Sequence, residues 1–199
     1  MSQERKCALC GKRAGDRFCP ALDAYICSTC CGLHRRKSIA CPPDCPYLVE
    51  AERRRRARRA QELARSWERL SAGLAQGGRG RLVPYLELLG ELLAELARQG
   101  DFRDGEAVAA LRYLARKLSP IEIVETYVPP LGKLLLEALS PLLARGSLDP
   151  AALREACLSL AELAEAFGEE GEPDKFVAAL LGTYPERGPG EGSRIIVRP

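Results

Sequence analysis

Cysteine clustering is the feature that most constrains how this chain can fold. Eight of the nine cysteines lie in the first 45 residues, at Cys7, Cys10, Cys19, Cys27, Cys30, Cys31, Cys41 and Cys45. They follow the pattern C-x2-C, a single C, C-x2-C-C and C-x3-C, and the only histidine, His34, lies among them. So dense a thiol cluster predicts disulfides or bound metal, and two zinc ions with four ligands each would use all eight thiols.

Metal is favoured over disulfides because of the compartment that we expect. Residues 1–20 contain no apolar run typical of a signal peptide, and no segment reaches the length of a transmembrane helix. We therefore expect a cytoplasmic protein, in which thiols stay reduced and available to a metal. Disulfides, a redox dithiol and an iron–sulfur cluster remain the alternatives, since some hyperthermophiles do form intracellular disulfides.

The spacing of the cysteines also predicts how they divide between two ions. Two CxxC-type pairs separated by about 15–20 residues usually bind one ion together. The first site would then use Cys7, Cys10, Cys27 and Cys30, and the second Cys19, Cys31, Cys41 and Cys45. The two sites interleave in sequence, so the adjacent Cys30 and Cys31 would point to different ions. His34 is a possible replacement ligand, although with eight thiols available we favour a hydrogen-bonded or solvated ring.

Three short elements carry a resemblance to a known class of zinc finger. They are Phe18-Cys19-Pro20, the run Cys27-Ser28-Thr29-Cys30-Cys31 followed by His34, and Cys41-Pro-Pro-Asp-Cys45-Pro-Tyr-Leu48. Residues 5–48 resemble cross-brace fingers of the HIT and MYND type, and more closely bacterial proteins with CxxC, CCG and CPxDCxYL elements. Unlike the HIT pattern, Cys19 has no CxxC partner and the histidine comes early. The resemblance implies two structural zinc ions and a binding role, most often toward proteins.

The sequence contains no motif that predicts an enzyme. There is no HExxH, no deaminase-type H-x-E followed by P-C-x-x-C, and no Walker-type glycine loop. The glycine-rich run at 77–80 lacks a preceding strand and a following Lys-Ser/Thr, so it indicates a linker. A catalytic zinc site would also keep an open coordination position and a proton shuttle, neither of which the pattern supplies. We expect no catalytic residues and no small-molecule substrate.

An arginine-rich helix follows the cysteine cluster. Apolar residues spaced by three and four predict one long helix over 46–75, and Pro46 suits its first turn. Its first turns carry a run of arginines, namely Arg53, Arg54, Arg55, Arg56, Arg58 and Arg59. Arg53 and Arg56 project onto the same face as the apolar stripe, so these turns either protrude from the core or meet an anionic surface. A solvated connecting helix and a phosphate-binding helix are equally compatible with this pattern.

Charge is unevenly distributed along the chain. Residues 1–69 carry 16 basic and 8 acidic side chains, whereas residues 70–199 carry 14 basic and 19 acidic ones. Residues 1–48 alone hold 8 basic and 4 acidic side chains, but two all-cysteine zinc sites would contribute about −2 each. The zinc module would then be close to neutral, and the positive field would come from the arginine helix.

The remainder of the chain has the leucine periodicity of a helical bundle. The first two predicted helices run from Val83 to Gly100 and from an Asp104 cap to Leu118, and a short one follows a capping box at 119–122. The next covers Leu131–Ala144, with a kink or a restart at Pro141. The last two run from Asp149-Pro150 to Phe167 and over 173–181. Cys157 shares a face with Leu153 and Leu160, which indicates a buried, unmetallated thiol. An extended piece at 195–197 is expected in an otherwise loose tail.

The sequence therefore predicts a mainly α protein with a small binuclear zinc module and no enzymatic activity. The expected segments are a zinc module at 1–48, a long helix at 46–75, a glycine-rich linker at 76–81, a bundle at 82–184 and a tail at 185–199. We expect a macromolecular partner and no membrane. A protein partner is favoured, bound through exposed Tyr25, Ile26 and Tyr47. A nucleic acid bound through the arginines is the alternative.

Overall fold

The chain is mainly α-helical, which confirms the predicted fold class. The computed structural model describes residues 5–121, 127–168 and 171–186. Contacts divide the chain into an N-terminal unit, Met1–Arg55, and a C-terminal unit, Arg56–Pro199. Each unit is described by itself below.

Two predicted elements cannot be compared with the structure. Most of the short helix expected after the capping box at 119–122 lies outside the described residues, and so does the extended piece at 195–197.

The N-terminal unit consists of a hairpin, a short helix and the start of a long one. Strands β1 (Arg17–Cys19) and β2 (Ala24–Ile26) pair antiparallel, with Phe18 opposite Tyr25. Helix α1 follows directly (Ser28–His34). Because side chains alternate along a strand, Cys19 and Ile26 are buried while Phe18 and Tyr25 face outward. The hairpin therefore brings Cys19 to the inside of the unit and leads directly into the buried Cys27.

Helix α2 spans Pro46–Gln76, in agreement with the predicted long helix, and the boundary between the two units falls within it. Leu63 and Leu74 are buried, as the apolar stripe predicts, whereas Ala57 and Ala64 of that stripe are exposed. The stripe is therefore narrower than the sequence pattern indicates.

The C-terminal unit contains five further α-helices among its described residues. They are α3 (Val83–Gln99), preceded by a 3₁₀ turn at Gly80–Leu82, α4 (Asp104–Lys117), α5 (Pro130–Ala144), α6 (Pro150–Phe167) and α7 (Lys175–Thr183). Helix α5 continues through Pro141 as one helix. Helix α4 packs against α5 and α6, and α3 packs against α6 and α7.

One leucine-rich core holds this unit together. Leu89, Leu111 and Leu160, from three different helices, are completely inaccessible to solvent. Cys157 is buried among them, and burial raises the pKa of its thiol to about 12. The prediction that Cys157 is a buried core residue is confirmed.

Asp104 has a different role from the predicted one. It was expected to cap α4, but the N-cap of α4 is Arg103, whose N–H donates to Glu106. The buried Asp104 carboxylate instead accepts the N–H groups of Phe176 and Val177, at 2.9 and 3.0 Å, in the first turn of α7. A side chain on one helix therefore caps another helix far along the chain.

We expect Asp104→Ala to destabilise the C-terminal unit by about 2 kcal/mol, because two buried N–H groups lose their acceptor. Asp149→Ala is the matched control, since Asp149 accepts two N–H groups at the start of α6 but is exposed. Asp149→Ala should lower the free energy of unfolding by about 1 kcal/mol. Urea unfolding followed by the fluorescence of Trp67, the only tryptophan, measures both. Equal costs for the two variants would contradict the role given to Asp104.

Candidate metal centre

Four cysteines converge in the N-terminal unit as the spacing predicts. The Sγ atoms of Cys7, Cys10, Cys27 and Cys30 all lie within 4.8 Å of one another, and those of Cys10 and Cys27 are 4.0 Å apart. A tetrahedral zinc ion with Zn–S bonds of about 2.3 Å requires sulfurs about 3.8 Å apart. The four sulfurs can therefore hold one metal ion.

Backbone hydrogen bonds fix the first CxxC loop beside the second. The loop closes where the Gly11 N–H donates to the Cys7 carbonyl, and Gly11 has a φ of +64°, which suits glycine. The Ala8 N–H donates to the carbonyl of Tyr25 at 2.9 Å, two residues before Cys27. This bond anchors one ligand loop to the strand that leads into the other.

Gly15 permits a second close contact with the same strand. A Cβ atom at this position would lie 3.0 Å from both the Cβ and the carbonyl oxygen of Tyr25. The Gly15 N–H also donates to the Arg5 carbonyl, so the segment after the first CxxC pair folds back against the residues that precede the pair. Sequence analysis missed this position, since one glycine carries no signal of a tertiary contact.

The thiols of this quartet ionise unequally. Burial opposes ionisation of Cys7, but the backbone N–H groups of Cys10, Cys27 and Leu9 lower its pKa to about 6. The neighbouring Cys27 sulfur, and then burial, raise the pKa of Cys30 to about 12. Four thiolates in so small a volume repel one another, and a divalent cation between them would compensate that charge.

The second predicted quartet is gathered but less tightly. Cys31 and Cys45 are buried, and they line one small cavity together with Cys19 and Cys41. Within the described part of the chain, only the first quartet has all four Sγ atoms within 4.8 Å of one another. The guanidinium of Arg35 donates to the Cys31 Sγ over 3.5 Å. Cys30 and Cys31, although adjacent, belong to different clusters.

His34 is not part of the convergent quartet. Its Nδ1 lies 2.7 Å from the Ser38 hydroxyl, and its carbonyl accepts the N–H groups of Lys37, Ser38 and Ile39. The residue therefore closes the turn after α1.

Five of the six arginines in the predicted binding run are exposed on α2, and Arg59 is not. Arg53 and Arg54 both pair with Glu50, at 2.9 and 2.6 Å. Arg59 is only 8% exposed, and its guanidinium lies 2.9 Å from the Glu172 carboxylate. Its partner lies 113 residues away, so the sequence pattern could not separate Arg59 from its neighbours. Arg59 is unavailable as a surface contact.

The predicted apolar binding residues are also not all exposed. Tyr25 is exposed, but Ile26 is only 1% exposed and lies in the core of the N-terminal unit. Tyr47 is half-buried, with the Arg17 guanidinium 5.0 Å from its ring centre. Strand alternation places Ile26 inside because Tyr25 faces outward. The prediction of an exposed Ile26 was wrong.

Comparison with protein-family models, with curated proteins and with solved structures finds no match. Every helix in the described residues is too short or too polar to cross a bilayer.

We expect Cys30→Ser to abolish tight binding of a metal ion at the first quartet, because the remaining three thiols cannot close a tetrahedral site. Titration with cobalt(II), read by its thiolate charge-transfer absorption, measures this loss. Cys157→Ala is the matched control, since it removes a buried thiol from the C-terminal unit. An unchanged cobalt spectrum in Cys30→Ser would show that the quartet is not the binding site.

Proposed function

We propose that this chain is a non-enzymatic, cytoplasmic interaction protein, in which two structural zinc ions hold a module that binds a protein partner. The observation that carries the proposal is the hairpin of the N-terminal unit. One face of the hairpin carries buried Cys19 and Ile26, and the other presents the exposed aromatic pair Phe18 and Tyr25.

The donor set supports zinc as the metal. Four thiolates in tetrahedral reach are the ligands that structural zinc sites use most. Cys7, Cys27 and Cys30 are each less than a tenth exposed, which leaves little access for water to a coordination position. A closed site of this kind supplies folding free energy rather than catalysis.

The arrangement of the remaining cysteines supports a second zinc ion. Cys19, Cys31, Cys41 and Cys45 line one cavity, so four further thiols lie near one another in the same unit. The apolar residues that complete this region, Ile26 and Ile39, are few. A unit with so small an apolar core generally depends on metal or disulfides for stability.

The exposed apolar residues support a protein partner. Leu9, Phe18, Leu22, Tyr25 and Leu33 all lie in the N-terminal unit, and Leu33 is 64% exposed. The rings of Phe18 and Tyr25 pack edge to face with their centres 5.4 Å apart, and the Arg5 guanidinium lies 4.5 Å from the Tyr25 ring centre. Aromatic residues beside arginine are the side chains that most often dominate protein interfaces.

A specific observation favours a second candidate, nucleic-acid binding. Arg55, Arg56 and Arg58 are exposed on α2, and none of them forms an ion pair with another described residue. Free guanidinium groups along a helix suit contacts with phosphates.

The zinc stoichiometry is the first test. Native mass spectrometry of the full chain should give two zinc ions, Cys45→Ser should retain one, and Cys157→Ala should retain both. The expected loss of one ion follows because Cys45 belongs to the second quartet alone. Two retained ions in Cys45→Ser, or one ion in the unaltered chain, would contradict a second zinc site.

Partner binding is the second test. Capture from a lysate of the native host, with nuclease treatment, should retain a protein that Phe18→Ala with Tyr25→Ala weakens about tenfold or more, as for interface hot spots. Leu134→Ala, an exposed leucine of the C-terminal unit, is the matched control and should leave capture unchanged. Unchanged zinc content checks that the double variant is folded.

The same capture from lysate, with and without nuclease, distinguishes nucleic-acid binding from protein binding. That candidate requires capture to disappear with nuclease, and binding of a mixed-sequence oligonucleotide to fall steeply with salt. Replacing Arg55 and Arg56 by Gln would then flatten the salt dependence. This outcome would replace the protein-binding proposal.

A further inference from the structure

A groove in the C-terminal unit has the chemistry of an anion site. Its volume is about 450 Å³, within the range of about 300–1,000 Å³ typical of small-molecule sites. It is lined by Glu62, Arg65, Ser66 and Arg69 of α2, by Leu163, Ala166 and Phe167 of α6, and by Lys175 of α7. All these residues belong to one compact unit. Three cationic side chains and one carboxylate therefore surround the groove.

Helical geometry places the polar lining of α2 on one face. Residues 62, 65, 66 and 69 recur at intervals of three and four, so their side chains lie side by side. Arg65 and Arg69 are a like-charge pair at i, i+4, which destabilises a helix by a few tenths of a kcal/mol. Among the described residues, neither guanidinium lies within ion-pair distance of a carboxylate. An anion between them would remove this repulsion.

The guanidinium of Arg69 is held in position by its own helix. Its Nη2 donates to the Ser66 hydroxyl at 3.1 Å, and its Nε donates to the Arg65 carbonyl at 3.3 Å. The Ser66 hydroxyl accepts in this bond, so its own proton can be donated to a ligand. Such prior ordering reduces the entropy lost when a ligand binds.

The opposite wall of the groove combines a cation with apolar surface. The Lys175 Nζ lies 5.0 Å from the ring centre of Phe167 and 3.8 Å from a carboxylate oxygen of Glu62. Phe167 and Leu163 supply apolar contact beside this cation. The groove therefore has cationic side chains from both α2 and α7, and its apolar surface comes from α6.

We propose that this groove binds a phosphate-bearing small molecule, with the phosphate between Arg65 and Arg69 and an apolar or aromatic body against Leu163 and Phe167. Guanidinium groups suit phosphate because their planar N–H donors match two phosphate oxygens at once. Ser66 adds a hydroxyl donor, and Lys175 adds a second kind of cation. This site is separate from the cysteine clusters and does not depend on the proposed zinc function.

The experiment is a calorimetric titration of the zinc-loaded full chain with phenyl phosphate at constant ionic strength. We expect saturable binding of one molecule per chain, tighter than that of inorganic phosphate and absent for phenol. Arg65→Gln with Arg69→Gln should weaken it about tenfold or more, since two charge-assisted hydrogen-bond donors are lost. Arg79→Gln is the matched control, an exposed arginine just beyond α2, and should change affinity less than about twofold.

A measurement on the unaltered chain locates the site independently of the variants. Amide chemical shifts recorded during the titration should move most around Arg65, Arg69 and Phe167. Absence of saturable binding, shift changes centred elsewhere, or equal weakening by Arg79→Gln would overturn the proposal. Inorganic phosphate binding as tightly as phenyl phosphate would overturn the role given to the apolar wall.

Discussion

Repulsion among closely placed thiolates is the constraint on which the N-terminal unit depends. Four sulfurs lie within 4.8 Å of one another, in a unit whose remaining apolar core is small. Backbone hydrogen bonds from the first CxxC loop to β2, and the absence of a side chain at Gly15, bring the sulfurs together. A cation that balances this charge would also join the two ligand loops. Metal binding and folding of this unit are therefore expected to be one equilibrium.

The sequence was most informative where ligand geometry is local. A CxxC loop allows two sulfurs to converge through a single turn, so spacing alone was enough to predict Cys7, Cys10, Cys27 and Cys30 as one quartet. The second quartet combines Cys19 and Cys31 from separate segments with the C-x3-C pair Cys41 and Cys45. Its geometry depends on side-chain orientations that spacing does not determine. The exposure of Tyr25 and the burial of Ile26 follow from the alternation of side chains along a strand. This alternation allows a prediction only when the hairpin register is known.

The helical part shows the same distinction between local and distant interactions. Leucine periodicity, Pro near helix starts and Gly after helix ends predicted the bounds of α3 and α6 closely, because these signals act within one turn. The ion pair of the buried Arg59 with Glu172 could not be predicted, since it joins residues far apart in the chain. A run of consecutive arginines predicts that every one of them is exposed on the surface. Tertiary structure separates the one buried member from its exposed neighbours.

The capping of α7 by Asp104 also has a consequence for the order in which the chain can become structured. The carboxylate and its donor at Phe176 are separated by 72 residues. Closing a loop of that length costs entropy that only the packing of the intervening helices can offset. During synthesis on the ribosome, Asp104 emerges long before its donors exist. The first turn of α7 is therefore completed only after nearly all residues from α4 to α7 have left the exit tunnel.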